Sequence, residues 1–562
     1  MADRNISSLG NTSQVFEDEP LLPVQAREGA DSENWVGDYE EPQLLALNGE
    51  SIDDVPTDKR RLGMTSTAFL IFNRIIGTSI FATPSVILRA SGSVGLLLVM
   101  WVLGAILAMC GTAVFIELGT GLPKNGGEKN YLEFIYRRPR FLVTCVYAMY
   151  AVFIGWETTS SVIFGEYGLH ALNPSVPPAP AATRLAGVLC ISLALVLHGT
   201  HPSWGIHVSN VLGVFKLLVL VVIIASGLAV LARVPGFELS DPPRNFEWDY
   251  MWEGTLTGGV SAFVTGLFTV VWSFTGYSNA NYALSEIRDP VRTMKTAAPC
   301  AIIVTSVAYF LVNIAYFAVV DKKEVLGSGR IVAALFFGKI WGVRAESALS
   351  AIVSMSALAN VLAVLFTHGR VIQELGREGI LPFSSFFASN KPFDAPLAGL
   401  FAQWFITCLL VVTVPPGDAY LFMLNMIAYP FALINAFVSA GLLFLHSPWK
   451  FSVHERYHWD PPFRTPTPVV LLFFLSNVFL VCAPLVPPAP GFTVYERLPY
   501  WLHVLVSSSI SLVGVVYWYV CFVWLPRRGG YALVREWIRG EDGMPRRVVK
   551  RVKTFVAQEA ES

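Results

Sequence analysis

Residues 73–84, Asn-Arg-Ile-Ile-Gly-Thr-Ser-Ile-Phe-Ala-Thr-Pro, put an arginine, a glycine and three hydroxyls inside an apolar segment long enough to cross a bilayer. A spanning segment has no water with which to pair exposed backbone N–H and C=O groups, so irregular backbone survives at bilayer depth only where it lines a protected polar cavity. A second interruption, Trp272-Ser273-Phe274-Thr275-Gly276-Tyr277-Ser278-Asn279, falls in a later apolar run. Paired interruptions at corresponding places in two halves point to the binding site of a transporter.

The composition agrees with a membrane protein. Of the 562 residues, 54% are hydrophobic and only 14% charged, against about 25% charged in soluble domains. The net charge of −1 gives no reason to expect a nucleic-acid partner. Five of the seven cysteines (Cys110, Cys145, Cys190, Cys408 and Cys521) lie within apolar runs, and neither a CxxC pair nor a histidine cluster occurs. They read as small core residues, with no disulfide framework, metal site or cofactor implied. No nucleophile–base set marks an enzyme.

Twelve apolar runs qualify as spans, centred near residues 77, 106, 153, 191, 219, 272, 308, 359, 405, 433, 477 and 513. Alternating the loops between two sides puts roughly 26 Lys and Arg on one side and roughly 10 on the other, which makes the first side cytosolic. Both termini then lie in the cytosol. Residues 1–62 read as a disordered acidic cytosolic tail, 63–445 as a ten-helix core, 446–525 as a linker with helices 11 and 12, and 526–562 as a basic cytosolic tail. The two interruptions fall in spans 1 and 6. Five spans per unit is an odd number, so the two units must have opposite orientations, which makes a 5+5 inverted repeat with broken helices 1 and 6.

At the first interruption, Gly77 permits backbone angles that other residues avoid. Unwinding there exposes the N–H groups of Thr78, Ser79 and Ile80 at the start of a half-helix, where donors and dipole attract a carboxylate. The carbonyls of Ile75 and Ile76 would accept from an ammonium. At the second, Gly276 permits unwinding, carbonyls from Trp272, Ser273 and Phe274 complete the ammonium cage, and Trp272 is a candidate gate. A zwitterionic amino acid fits both ends. Lys216 stands deep in an apolar span, where a lysine marks function by default and can exchange a proton during a transport cycle. Glu157, Thr158, Asn279 and Asn360 are candidates for the pocket around the substrate side chain, with helix–helix hydrogen bonding as the competing role.

Four motifs, in order, carry a family resemblance. Gly77-Thr78-Ser79-Ile80-Phe81 resembles the G-[ST]-G-I-F motif of the amino acid–polyamine–organocation superfamily. The stretch Glu117-Leu118-Gly119 to Tyr131-Leu132 resembles the signature of its L-type amino acid transporters, Trp272 to Gly276 a segment of the bacterial arginine–agmatine antiporter, and Arg377-Glu378-Gly379-Ile380-Leu381-Pro382 the end of the family's eighth helix. The long tails and Asn73-Arg74 resemble the fungal high-affinity methionine permeases. The resemblance implies a LeuT-like fold with alternating access and backbone contacts to an amino acid at Ile75, Gly77, Thr78, Ser79 and Phe274. It implies that Lys216 takes the place of a sodium ion, hence sodium independence, and the expected function is proton-coupled uptake of methionine or a similar apolar amino acid across the plasma membrane. A non-transporting sensor and a broader exchanger are the competing readings. The outer loop near 165–183 has no cysteine, so no disulfide-linked heavy chain is expected. Lys59 is the sole lysine of the N-terminal tail, where ubiquitin-ligase adaptors would act. Two departures stand out: Ser79 replaces the family's second glycine, and Ser278 replaces the antiporter's proton-sensing glutamate.

Overall fold

The computed structural model describes residues 63–123, 127–136, 138–239, 241–389, 391, 393, 395–447, 459–488, 490–539 and 545–553. The expectations for residues 1–62 lie outside these, apart from the boundary itself.

The chain enters through α1 (Met64–Ile75), breaks at Ile76–Thr78, and continues as α2 (Ser79–Ala82) and α3 (Pro84–Ser91). The long α4 (Val94–Gly121) starts at Ser93, whose side chain accepts from the Leu96 N–H at 3.3 Å and satisfies one of the helix's unpaired donors. The short α5 (Glu128–Ile135) leads to α6 (Leu142–Phe153) and α7 (Thr158–Leu172), which together make one apolar stretch of 31 residues interrupted at Ile154–Glu157. Then come α8 (Pro180–Thr200), α9 (Pro202–Leu231), and the short α10 (Trp248–Trp252).

The second interruption follows α11 (Gly259–Ser273). Residues 274–278 form turns, and Asn279–Glu286 continue as a 3₁₀ helix. Asp289 caps α12 (Pro290–Val319), accepting from the Arg292 N–H at 3.3 Å. Beyond it lie α13 (Lys322–Gly327), α14 (Val332–Trp341) and the 35-residue α15 (Val343–Arg377). The remaining helices are α16 (Ser384–Ala388), α17 (Leu397–Thr413), α18 (Pro416–His446), α19 (Thr467–Cys482), α20 (Leu502–Trp518) and α21 (Leu525–Gly529).

Among the described residues nine helices are long and apolar enough to cross a membrane, and Gly259–Ser273, Val332–Trp341 and Leu397–Thr413 are shorter apolar helices. The protein is a polytopic helical membrane protein. α15 is the most enclosed of the nine, while α20 turns most of its surface outward. The main core joins α1, α4, α12, α14 and α15 through fully buried Ile71, Trp101, Tyr309, Tyr316, Phe336 and Val353.

Three features differ from the sequence reading. The third span is itself broken. The second interruption does not resume as α-helix but passes into a 3₁₀ helix, which runs on at the point where Gly276 has turned the chain (φ +133°). Within the basic C-terminal segment, β1 (Tyr531–Arg539) pairs antiparallel with β2 (Pro545–Lys553), with Tyr531 opposite Lys553. The hairpin is tied to the end of α15, where the Val549 N–H donates to the Glu378 carbonyl at 3.0 Å.

Candidate functional site

The first break is closed by a tight turn. The Ile76 N–H still donates back to Phe72 at 2.9 Å, and the Gly77 N–H then donates to the Ile75 carbonyl at 2.8 Å, an i→i+2 bond around Ile76 (φ −74°, ψ 87°). The chain restarts as helix only at Ser79. Among the described residues, none accepts from the backbone N–H groups of Thr78, Ser79 and Ile80, and none donates to the carbonyl of Ile76. The Thr78 hydroxyl is also buried without a partner, and the buried Ser79 hydroxyl lies beside that of Tyr309. A break deep in the protein with three unused donors is a strong anion locus, because an unpaired buried donor costs about 1–3 kcal/mol until a ligand satisfies it.

Gly77 is required for a different reason from the one expected. Its φ is not positive, so conformational freedom is not what it supplies. A Cβ built on it would stand 3.2 Å from Asn360 Nδ2. The glycine lets Asn360 of α15 approach the break, and Asn360 Nδ2 in turn donates to Ser160 Oγ of α7 at 2.8 Å. Helices α1, α7 and α15 therefore meet at the break.

The second break exposes acceptors. Phe274 and Thr275 N–H groups donate back to Val271 and Trp272 at 3.1 and 2.9 Å, which uses those carbonyls. The Ser273 carbonyl takes the Tyr309 hydroxyl at 3.3 Å. Phe274 is then the first residue whose carbonyl has no donor among the described residues. Gly276 turns the chain at φ +133°, a region that side chains disfavour. A Cβ on it would meet Arg74 Cγ at 2.7 Å and Ile75 Cγ1 at 3.1 Å. The stem of Arg74 therefore lies across the second break, and the two breaks touch. Trp272 is half-buried with its indole N–H unpartnered, packed between two core clusters.

The other candidates fall around this centre. Glu157 ends the gap in the third span: one carboxylate oxygen accepts from Thr407 at 3.2 Å and the other has no partner. The Thr158, Thr159, Ser161 and Ser356 hydroxyls nearby in sequence or on α15 are likewise buried and unpaired. Arg74 lies close enough to Glu157 for the charges to attract and to Lys216 for them to repel. Lys216 is 5% exposed, so it does not reach the surface as a snorkelling lysine would. Asn279 sits at the start of the 3₁₀ helix, its N–H bonded to Gly276 at 2.9 Å, and is half-buried.

Two elements escape the sequence reading. One is the break at Ile154–Glu157, closed by the same i→i+2 bond as the first, Trp156 N–H to Ile154 at 3.1 Å. A glycine followed by the polar run Glu157–Ser161 is its signal. Trp156 stacks on His368 with ring centroids 4.4 Å apart and planes 10° from parallel. The other is Tyr309 of α12, which nothing in its own stretch distinguishes from a packed aromatic.

Both ends of the centre are bridged. At one, Tyr167 of α7 lies 2.9 Å from the Phe81 carbonyl and 2.8 Å from that of Arg330, Arg330 pairs with Glu166, and Ser85 bonds Gly329. At the other, Glu128 of α5 accepts from Ser278 at 2.7 Å and from Tyr282, the Tyr131 hydroxyl donates to Asn281 at 2.8 Å, and Lys129 pairs with Glu378.

An amino acid permease family model matches residues 62–525. The chain belongs to the amino acid permease family. It is 42% identical over 522 residues to the high-affinity methionine permease of Saccharomyces cerevisiae, covering 93% of this chain and 88% of that protein. It is 30% identical to the low-affinity methionine permease of the same yeast, over 96% of both chains. With the human b(0,+)-type amino acid transporter 1 it shares 28% identity over 76% of this chain and 83% of that one. The family and these relatives are transporters, so the reading of a permease and not an enzyme holds, as does the resemblance to L-type transporters.

Proposed function

We propose that this permease takes up methionine or a similar apolar α-amino acid, coupled to protons, by alternating access across the plasma membrane with both termini in the cytosol. The three unused N–H groups of Thr78, Ser79 and Ile80 carry the reading. They await a carboxylate at a half-helix N-terminus, while the open carbonyls of Ile76 and Phe274, on two breaks that touch, await an ammonium. The 42% identity to a high-affinity methionine permease supports the substrate class. The twelve spans, the inverted repeat and the division at residues 62, 445 and 525 are the frame in which the two breaks correspond. Ile75, Ser273 and Gly276 shape the backbone, Thr78 and Ser79 add hydroxyls, and Trp272 gates. Glu157, Thr158, Asn279 and Asn360 border the side chain.

The two bridged ends support alternating access. Opening one end requires parting Arg330–Glu166 and Tyr167–Phe81; opening the other requires parting Lys129–Glu378 and Glu128–Ser278. Substrate shifts the populations only through contacts that differ between the states. Lys216, buried beside Arg74, is the group proposed to exchange the proton. No heavy chain is invoked, in keeping with the outer loop that lacks a cysteine; adaptor binding at the N-terminal tail is a separate proposal, tested by the lifetime of a Lys59→Arg variant.

A proteoliposome screen of the twenty amino acids, with and without an inward proton gradient, tests the whole. Methionine uptake that rises with the gradient is expected. Uptake indifferent to the gradient removes the coupling, and binding without uptake replaces a carrier with a sensor. Lys216→Ala is expected to abolish the response to the gradient while methionine still binds.

A further inference from the structure

The carbonyls just ahead of the two open ones are both engaged by a single side chain. The Tyr309 hydroxyl lies 2.8 Å from the Ile75 carbonyl of the first break and 3.3 Å from the Ser273 carbonyl of the second. Its ring is fully buried, packs edge-on against Trp101 of α4 at 5.2 Å and lies tilted against Phe274 at 5.4 Å. Trp101 also meets Phe274 at 5.9 Å. One residue of α12 thus touches α1, α4 and the end of α11.

We propose that Tyr309 is a positioning residue for the substrate's α-ammonium: its hydroxyl ties the two breaks together so that the carbonyls of Ile76 and Phe274 face one cation. Ile76 directly follows Ile75, and Phe274 directly follows Ser273. Fixing the first carbonyl of each pair sets the peptide plane from which the second projects, because a residue has only two soft backbone dihedrals. The Ile75 carbonyl is already shared between the Gly77 N–H and Tyr309, which leaves it poorly placed to serve the ligand. The role expected of Ile75 therefore passes to Ile76. Packing alone does not account for the hydroxyl. Phenylalanine would fill the same ring space, and Tyr420, also buried, keeps a hydroxyl with no partner. Tyr309 spends its hydroxyl on two carbonyls from chain segments more than 190 positions apart.

The inference rests on the amino-acid reading above, and its test separates the two. Purified full-length Tyr309→Phe and Tyr420→Phe are compared with the natural protein for methionine Kd and for thermal midpoint in the same detergent. If the natural protein binds a different amino acid, that one is used; if it binds none, the amino-acid reading fails and this inference fails with it. Tyr309→Phe is expected to weaken binding about tenfold, equal to about 1.4 kcal/mol, with the midpoint unchanged, while Tyr420→Phe leaves both as they are. A Kd within twofold of the natural protein's overturns the positioning role while leaving the amino-acid reading intact. A midpoint that falls together with binding also overturns it, since the hydroxyl then only stabilises the fold.

Discussion

The two breaks look alike as sequence, each a glycine among hydroxyl-bearing residues, yet they are built differently and present opposite chemistry. The first is a three-residue interruption between two α-helical pieces, and what it leaves open is mainly donors: the N–H groups of Thr78, Ser79 and Ile80. The second is a five-residue turn running into a 3₁₀ helix, and what it offers is an acceptor at Phe274. The glycines differ too. Gly276 is held at a positive φ with the Arg74 stem across it, whereas Gly77 has an ordinary φ and is needed for the approach of Asn360. A glycine in a spanning segment can thus supply either an unusual dihedral or an absent side chain, and only the neighbours reveal which.

That contrast is most sharply broken at Gly276. Gly276→Ala combines a strained dihedral, worth roughly 1–3 kcal/mol, with a 2.7 Å contact to Arg74 Cγ, an atom in mid-stem that cannot swing aside as a side-chain tip can. Loss of more than about tenfold in uptake and a lower thermal midpoint are expected; near-normal uptake would show that the second break is more pliant than the first. Gly77→Ala meets only the terminal amide of Asn360 at 3.2 Å, which can rotate. A loss of about threefold in methionine affinity is expected, and combining it with Asn360→Ala should recover part of it, as read by Kd in both variants. If Gly77→Ala proves the more damaging of the two, the dihedral at Gly276 is not the costlier constraint.

Ser79→Gly sharpens the donor side. It restores the glycine of the family motif and removes a buried hydroxyl that lies beside Tyr309, without touching the backbone N–H. Methionine affinity should change by less than about twofold, because the N–H and not the hydroxyl is the element assigned to the carboxylate. A larger loss would make the Ser79 hydroxyl a ligand in its own right and make the first break a mixed backbone and side-chain site.

Much was legible in the order of residues. Spanning segments announce themselves because burying apolar runs of ~20 residues in lipid requires helix, and a polar interruption inside such a run has few physical meanings. That is why residues 76–78 and 274–278 emerged as breaks, and why Lys216 stood out as a lysine in an apolar helix that proves buried. The order of four motifs was enough to place the chain with the amino acid permeases, as the match over residues 62–525 shows. The third break was present in the same code, a glycine before Glu157–Ser161, but its polar residues resembled ordinary interhelical hydrogen-bonding groups.

What tertiary structure decided were the identities of partners across long separations. That the Arg74 stem covers Gly276, that Asn360 reaches Gly77, and that Tyr309 grips the carbonyls of Ile75 and Ser273 are contacts between segments far apart in the chain. Local periodicity carries no information about which helix faces which, since lipid and protein interior are similarly apolar neighbours. The sequence by itself determined that backbone groups would be left open at two points; only packing determined which of them stayed open, because the fold brings the Tyr309 hydroxyl of α12 to the carbonyls of Ile75 and Ser273 and to neither Ile76 nor Phe274.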